Sequence, residues 1–172
     1  MRTRVARLAF CLTATLLAAQ FHAAGAAALT LTSSDSRVEL QLPDSWHQEE
    51  PDKPDWLKAS NDNRYVMVIS ENKEDFSDIA AYASIVVSQM LGKLKDGKAS
   101  DAQKIEIGGR PALRYEITGT VSNGLRISYL LTIVETEQRF TQVLAWSLRS
   151  QFAASKDELS RLAEGLRELP AK

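Results

Sequence analysis

"IGGRPALRYEITG", residues 107–119, sets two glycines, an arginine and a proline ahead of an alternating run. Two readings compete for it. A phosphate loop puts its glycines at the N-terminus of a helix, where free backbone N–H groups face the anion. A hairpin puts them at a corner between two strands, where the backbone needs positive φ. The flanks decide. "QKIEI" (103–107) precedes the glycines and "ALRYEITG" (112–119) follows them, and both read as strand. With no helix after the glycines, Gly108 to Pro111 is predicted to be a corner and not a site.

Outward from that corner the same period continues. "SNG" (122–124) is the next hairpin signal, and "ETEQ" (135–138) joins the last two long strands. Leu113, Tyr115 and Ile117, then Leu125, Ile127, Tyr129, Leu131 and Ile133, then Phe140, Leu144, Trp146 and Leu148 recur at period two. Opposite them stand Arg114, Glu116, Ser128, Thr132, Thr141 and Ser147, mixed with Leu130, Val134, Val143 and Ala145. One face of the sheet is therefore apolar and the other mixed, and Trp146 is expected in the core. Upstream, "RVELQLP" (37–43) and "RYVMVISE" (64–71) read as strands. Between them "PDSWHQEEPDKPDW" (43–56), with three prolines and a scatter of acids, has the composition of a loop.

Two segments change to helical period. After "KEDFSD", Phe76, Ile79, Ala80, Ala83, Val86, Val87, Met90, Leu91 and Leu94 recur at three and four. Ser77 or Asp75 can cap that helix and Gly97 can close it. Ser155 to Glu158 fits a capping box, and Leu159, Leu162, Ala163, Leu166 and Leu169 form one stripe ending before Pro170. A meander of antiparallel strands with two amphipathic helices is an α+β domain, built either in two layers or as a helix–sheet–helix sandwich.

The N-terminus sets the compartment. Three arginines within residues 1–7, an apolar run from Leu8 to Leu17 and the alanines of Ala23 to Ala28 form the pattern of a secretory signal. The apolar run is shorter than the roughly 20 residues of a spanning helix. Cleavage is expected after Ala28, with Ala26 as the alternative, leaving residues 29–172, 144 of the 172, as a single domain. Cys11 lies in the apolar run behind Phe10, where a lipoprotein signal needs a small residue, so no lipid anchor is expected. The processed chain then holds no cysteine and no disulfide. It keeps 18 of the 21 Lys and Arg against all 22 Asp and Glu, a balance of −4. A mildly acidic chain with scattered charges lacks the basic footprint of a nucleic-acid binder and the polybasic patch of a lipid binder.

The order of these pieces resembles a known family. "LPDSW" (42–46), "YVMVIS" (65–70), a helix introduced by "DFSD" (75–78), "IGGRPALRYEITG", "ISYLLTIVE" (127–135), "FTQVLAWSL" (140–148) and a closing helix are similar to the PsbP-like domains and their bacterial DcrB-type relatives. The resemblance spans nearly all of the processed chain. It implies an α/β/α sandwich with a central, mainly antiparallel sheet flanked by two amphipathic helices. It also implies a non-enzymatic role in assembly or partner binding, as in photosystem II extrinsic subunits, Ran-binding import factors and secretion-effector chaperones. No catalytic motif comes with it.

The residues themselves point the same way. After cleavage His47 is the only histidine, so neither a nucleophile–histidine triad nor a histidine-pair zinc site can be built from one chain. No cofactor is expected. Glu49, Glu50, Asp52 and Asp55 lie near His47, but they lack the spacing and turn glycine of a calcium loop and read as solvated acids. Trp46 and Trp56 bracket the acidic loop and are the candidate partner-binding residues, Trp46 with the competing role of a plug at one end of the sheet. The expected protein is a periplasmic, non-enzymatic module, monomeric or weakly oligomeric, that holds an envelope protein. The alternative is a small-molecule or metal binder using a cleft beside Trp46, His47 and the acids.

Export makes the first test. Intact-mass measurement of the fractionated protein is expected to find a soluble periplasmic species without the alanine-rich leader. A mass retaining residues 1–20, or an acylated cysteine, would contradict the signal reading.

Overall fold

The structure, a computed structural model, describes residues 29–170; the leader and its cleavage site lie outside the described residues. In chain order the strands are β1 (Leu29–Ser33), β2 (Val38–Leu42), β3 (His47–Gln48), β4 (Leu57–Asn61) and β5 (Arg64–Asn72). Helix α1 (Ile79–Gly92) follows, then β6 (Lys95–Ala99), β7 (Gln103–Ile107), β8 (Arg110–Thr120), β9 (Arg126–Glu135) and β10 (Arg139–Leu148). Helix α2 (Arg149–Arg161), a 3-10 turn (Leu162–Gly165) and β11 (Leu166–Glu168) close the chain. Eight strands form one sheet in the order β3-β4-β5-β10-β9-β8-β6, with β7 also paired to β8, and β1-β2-β11 form a second. Neighbouring strands run antiparallel throughout, as in the β5–β10, β10–β9 and β9–β8 pairs.

The corner read from the sequence is there. Ile107 pairs with Arg110, so Gly108 and Gly109 alone make the turn, with φ of 57° and 76°. Positive φ at both central residues is the primed hairpin geometry that matches strand twist. Gly124, at φ 86°, closes the turn between β8 and β9.

Each face of the large sheet has its own core. Adjacent residues of β9 point to opposite sides: Leu131 packs with Tyr82, Ala83 and Val86 of α1, whereas Leu130 packs with Phe152 and Leu159 of α2 and with Leu31 and Leu40 of the small sheet. The architecture is thus α+β, an antiparallel sheet with two helices. The sandwich description holds only in outline, because the layer opposite α1 is α2 together with β1-β2-β11. On that side Ser128, Thr132, Thr141 and Ser147 are buried beside Leu130, Val134, Val143 and Ala145. Their hydroxyls can pair locally: Thr141 Oγ1 lies 2.7 Å from Ser70 Oγ. The mixed face is hence the better covered of the two.

Helix boundaries differ from the sequence reading. Asp78, not Ser77 or Asp75, caps α1, its Oδ1 accepting from Ala81 N at 2.8 Å. Gly97 lies in β6 and does not close the helix; a Cβ there would stand 3.1 Å from Leu91 Cδ2. Ser155 caps nothing. Helix α2 starts at Arg149 directly from β10, so Ser155 sits buried in its middle and donates to Gln151 O at 3.1 Å. Such back-bonding to the preceding turn is the other use of a helical serine. The stripe Leu159, Leu162, Ala163 and Leu166 is buried as expected, but it runs from the helix through the 3-10 turn into β11. Gly165 permits that route: a Cβ there would lie 2.0 Å from Gln41 O, so only glycine lets the chain close on β2.

Trp46 takes the plugging role that the sequence offered for it, and Trp146 departs from its expected place. Trp46 is 1% exposed and packs into the core shared by the mixed face and the small sheet, whereas Trp146, expected in the core, is only half-buried. Trp46→Ala is expected to cost about 3–5 kcal/mol through the cavity it leaves, and Trp146→Ala about 1–2 kcal/mol. Denaturant titration of both variants checks the order, and equal losses would contradict it.

Candidate functional site

Helix α1 covers part of the apolar face. Tyr82, Ala83 and Val86 sit on Leu113, Ile117, Leu131, Ile133 and Phe140, over β8, β9 and one end of β10. Beyond the helix the face continues. Trp146 lies between Tyr65 and Tyr129 in register, and Leu144 between Met67 and Leu131. Tyr65, Met67, Ile69, Tyr129, Leu144 and Trp146 are all half-buried. The Tyr65 and Trp146 rings stack with centroids 5.3 Å apart, and Tyr129 leans toward Trp146 at 6.0 Å.

Met67, Ile69, Tyr129 and Leu144 of this band form the floor of a groove of about 610 Å³. One wall is α1, through Val86, Gln89, Met90 and Lys93; the other is the acidic loop, through Asp52, Lys53 and Trp56. A neighbouring recess of about 360 Å³ shares Val121 and Tyr129 and extends to Asn63, Trp146 and Leu125, a leucine that is 48% exposed. A concave surface lined mainly by apolar side chains with a few polar groups at its rim has the general form of a binding site.

The loop wall is held in place. Ser33 Oγ and Ser36 Oγ both donate to Asp55 O, at 3.0 and 2.8 Å, tying the loop to the β1–β2 hairpin. Trp56 N donates to Lys53 O, and Lys53 Nζ sits 5.0 Å from the Trp56 ring centroid. Across the floor, Tyr82 Oη donates to Glu71 Oε2 and accepts from Gln142 Nε2, each at 2.6 Å. Burial, then the bond to Glu71, pushes the Tyr82 phenol above its ordinary value, and burial raises Tyr129 as well. Both phenols therefore stay protonated near neutral pH.

The structure separates the two candidate tryptophans. Trp56 borders the groove, while Trp46 faces the opposite core and presents no surface there. His47 is exposed on β3, paired with Ser60. Glu49 accepts from Ser60 Oγ, and Asp52 faces Lys58 at 3.9 Å. Among the described residues no three His, Cys, Asp or Glu side chains gather as a metal site. Trp46 is buried away from the groove, and of His47 and the acids only Asp52 lines it. Sequence reasoning missed Met67 and Leu144 as groove residues, and Tyr65 and Trp146 as lining of the neighbouring recess. The available signal was area, since the apolar residues at period two outnumber what one helix can cover.

Neither a protein-family model nor a curated protein matches the sequence. Solved structures do match its fold. The chain is similar to cyanobacterial PsbP (CyanoP) of Synechocystis sp. PCC 6803, with a TM-score of 0.64 at 10% identity over 88% of this chain and 98% of that one. The chain has the PsbP-like fold. It is also similar to the Ran-binding protein Mog1p of Saccharomyces cerevisiae, with a TM-score of 0.56 at 10% identity over 83% of this chain and 96% of that one. LpqN of Mycobacterium tuberculosis, involved in cell envelope biogenesis, matches with a TM-score of 0.51 at 14% identity over 84% and 91%.

Tyr82 yields a pH prediction. A phenol whose folded pKa lies above its unfolded value of about 10 contributes stability that is full below pH 10 and falls as the unfolded chain ionises above it. Denaturant midpoints measured from pH 8 to 11 are expected to drop for the native chain and to drop less for Tyr82→Phe. Parallel curves would remove Tyr82 from the account.

Proposed function

We propose that this protein is an exported, non-enzymatic binding or assembly module of the bacterial envelope, and that the groove between α1 and the acidic loop holds an apolar segment of a protein partner. One observation carries the reading: a continuous band of half-buried apolar and aromatic side chains left uncovered beside α1, with a loop wall held by Ser33 and Ser36. A pre-formed wall lowers the ordering cost of binding. Aromatic anchors such as Trp56, Tyr65, Tyr129 and Trp146 are the side chains that contribute most at interfaces.

Two of the similar structures support a binding role, one described as Ran-binding and one as involved in cell envelope biogenesis. The arginine-rich leader and short apolar run support export. His47 stands outside the groove, and the buried Tyr82 phenol is raised, not lowered, so neither suggests a general base in that site. Trp46 retains the structural role of a core ring.

Photo-crosslinking in the periplasm tests this reading. A crosslinking residue at Trp56 or Leu144 is expected to capture a discrete partner, and one at Ala154, exposed on α2, is not. Capture from Ala154 alone would move the contact surface to the opposite layer. A hydrolase panel on the purified protein is expected to show no turnover, and saturable hydrolysis lost in His47→Ala would overturn the non-enzymatic reading.

A further inference from the structure

The rim of the groove carries four charged side chains, and they are not equivalent. The acids are engaged: Asp52 faces Lys58 at 3.9 Å, and Glu71 accepts from Tyr82 Oη at 2.6 Å. The cations stand differently. Lys53, on the loop wall, and Lys93, at the C-terminal end of α1 on the facing wall, have no carboxylate within 4.0 Å among the described residues. Lys53 instead lies over Trp56, so its ammonium is held at the groove mouth by the ring face. Two lysines without partners thus bracket an uncharged floor of Met67, Ile69 and Leu144.

From this arrangement, and resting on the groove being the partner site, we infer that its occupant is an apolar protein segment carrying acidic residues at its flanks, placed to pair with Lys53 and Lys93. Burial of the apolar residues supplies the affinity. The two ammonium groups supply the choice, since charge at a rim governs specificity and encounter more than affinity. The preference is local. The processed chain as a whole is slightly acidic, with 18 basic against 22 acidic residues, and would otherwise repel such a segment. A cationic segment would meet both lysines and find each nearby acid already engaged.

The test uses two synthetic peptides with blocked ends, an alternating leucine–valine core flanked by aspartates and the same core flanked by lysines. Binding to the full processed chain is followed by the fluorescence of Trp56 and Trp146. The aspartate peptide is expected to bind about three- to tenfold more tightly, the size of two partly exposed ion pairs. The gap should close as salt rises from about 0.05 to about 0.5 M. The double variant Lys53→Glu, Lys93→Glu is expected to reverse the order, whereas Trp56→Ala, which removes apolar wall and releases Lys53, weakens both peptides and narrows the gap between them. Equal affinities, or a lysine preference in the native chain, would overturn the charge inference and leave the groove reading in place if Trp56→Ala still weakens both. Binding of neither peptide would overturn both readings. Tighter binding of laurate would assign the groove to an amphiphile, and concentration-dependent dimerisation lost in Trp56→Ala would assign it to a second copy; either result overturns the inference.

Discussion

A wide sheet with two apolar-bearing faces has to be covered on both, and one helix is too narrow for the task. Strands stand about 4.8 Å apart and a helix with its side chains is about 10–12 Å across, so α1 can shield only two or three of the strands. It takes β8, β9 and one end of β10, where Leu113, Ile117, Leu131, Ile133 and Phe140 meet Tyr82, Ala83 and Val86. The opposite face is solved differently. There α2 and the three-stranded sheet share the cover, and hydroxyls that would look solvent-facing in a sequence are buried, Thr141 paired with Ser70. What remains open on the α1 side follows from this inequality, and it is where the groove lies.

The same inequality explains which features could be read from the sequence. The hairpin at Gly108 and Gly109 was legible because positive φ is a local demand with a local signature. Strand alternation from Leu113 to Leu148 was legible because period two survives whichever face is covered. Helix ends were not. Ser155 satisfies the capping-box pattern, but β10 feeds α2 without a loop, and Phe152 buries the first turn before the pattern begins. The leucine stripe after it has helical spacing, yet pairing with β2 draws Leu166 into a strand. In both cases a tertiary contact outweighed a preference of a few tenths to about 1 kcal/mol.

The site was half legible. Trp56 was placed on a recognition loop by composition, and it borders the groove. Trp46 had the same composition around it, and the difference between the two rings is one of direction: Trp46 turns toward the face covered by the small sheet, Trp56 toward the face that α1 leaves open. Trp146 was assigned to the core because it shares a period with Leu144 and Leu148. That period was right and the conclusion was not, since period identifies a face but says nothing of how far a cover extends along it.

Rigidity on one side of the groove bears on how it can discriminate. The floor is sheet, anchored by β5–β10 and β10–β9 pairing along nine residue pairs each. The loop wall is tied by Ser33 and Ser36 to a hairpin that belongs to the other core, so a substitution in the β1–β2 turn reaches Trp56 through the Asp55 carbonyl. Beside the apolar floor, the Tyr82, Glu71 and Gln142 contacts hold a polar group in place. A segment entering the groove thus meets a floor that rewards burial almost regardless of sequence. It then meets a rim where each charge is either matched or left unpaired. In the proposed binding role, selection among partners falls to that rim, because a misplaced charge there costs more than an imperfectly packed methyl group on the floor.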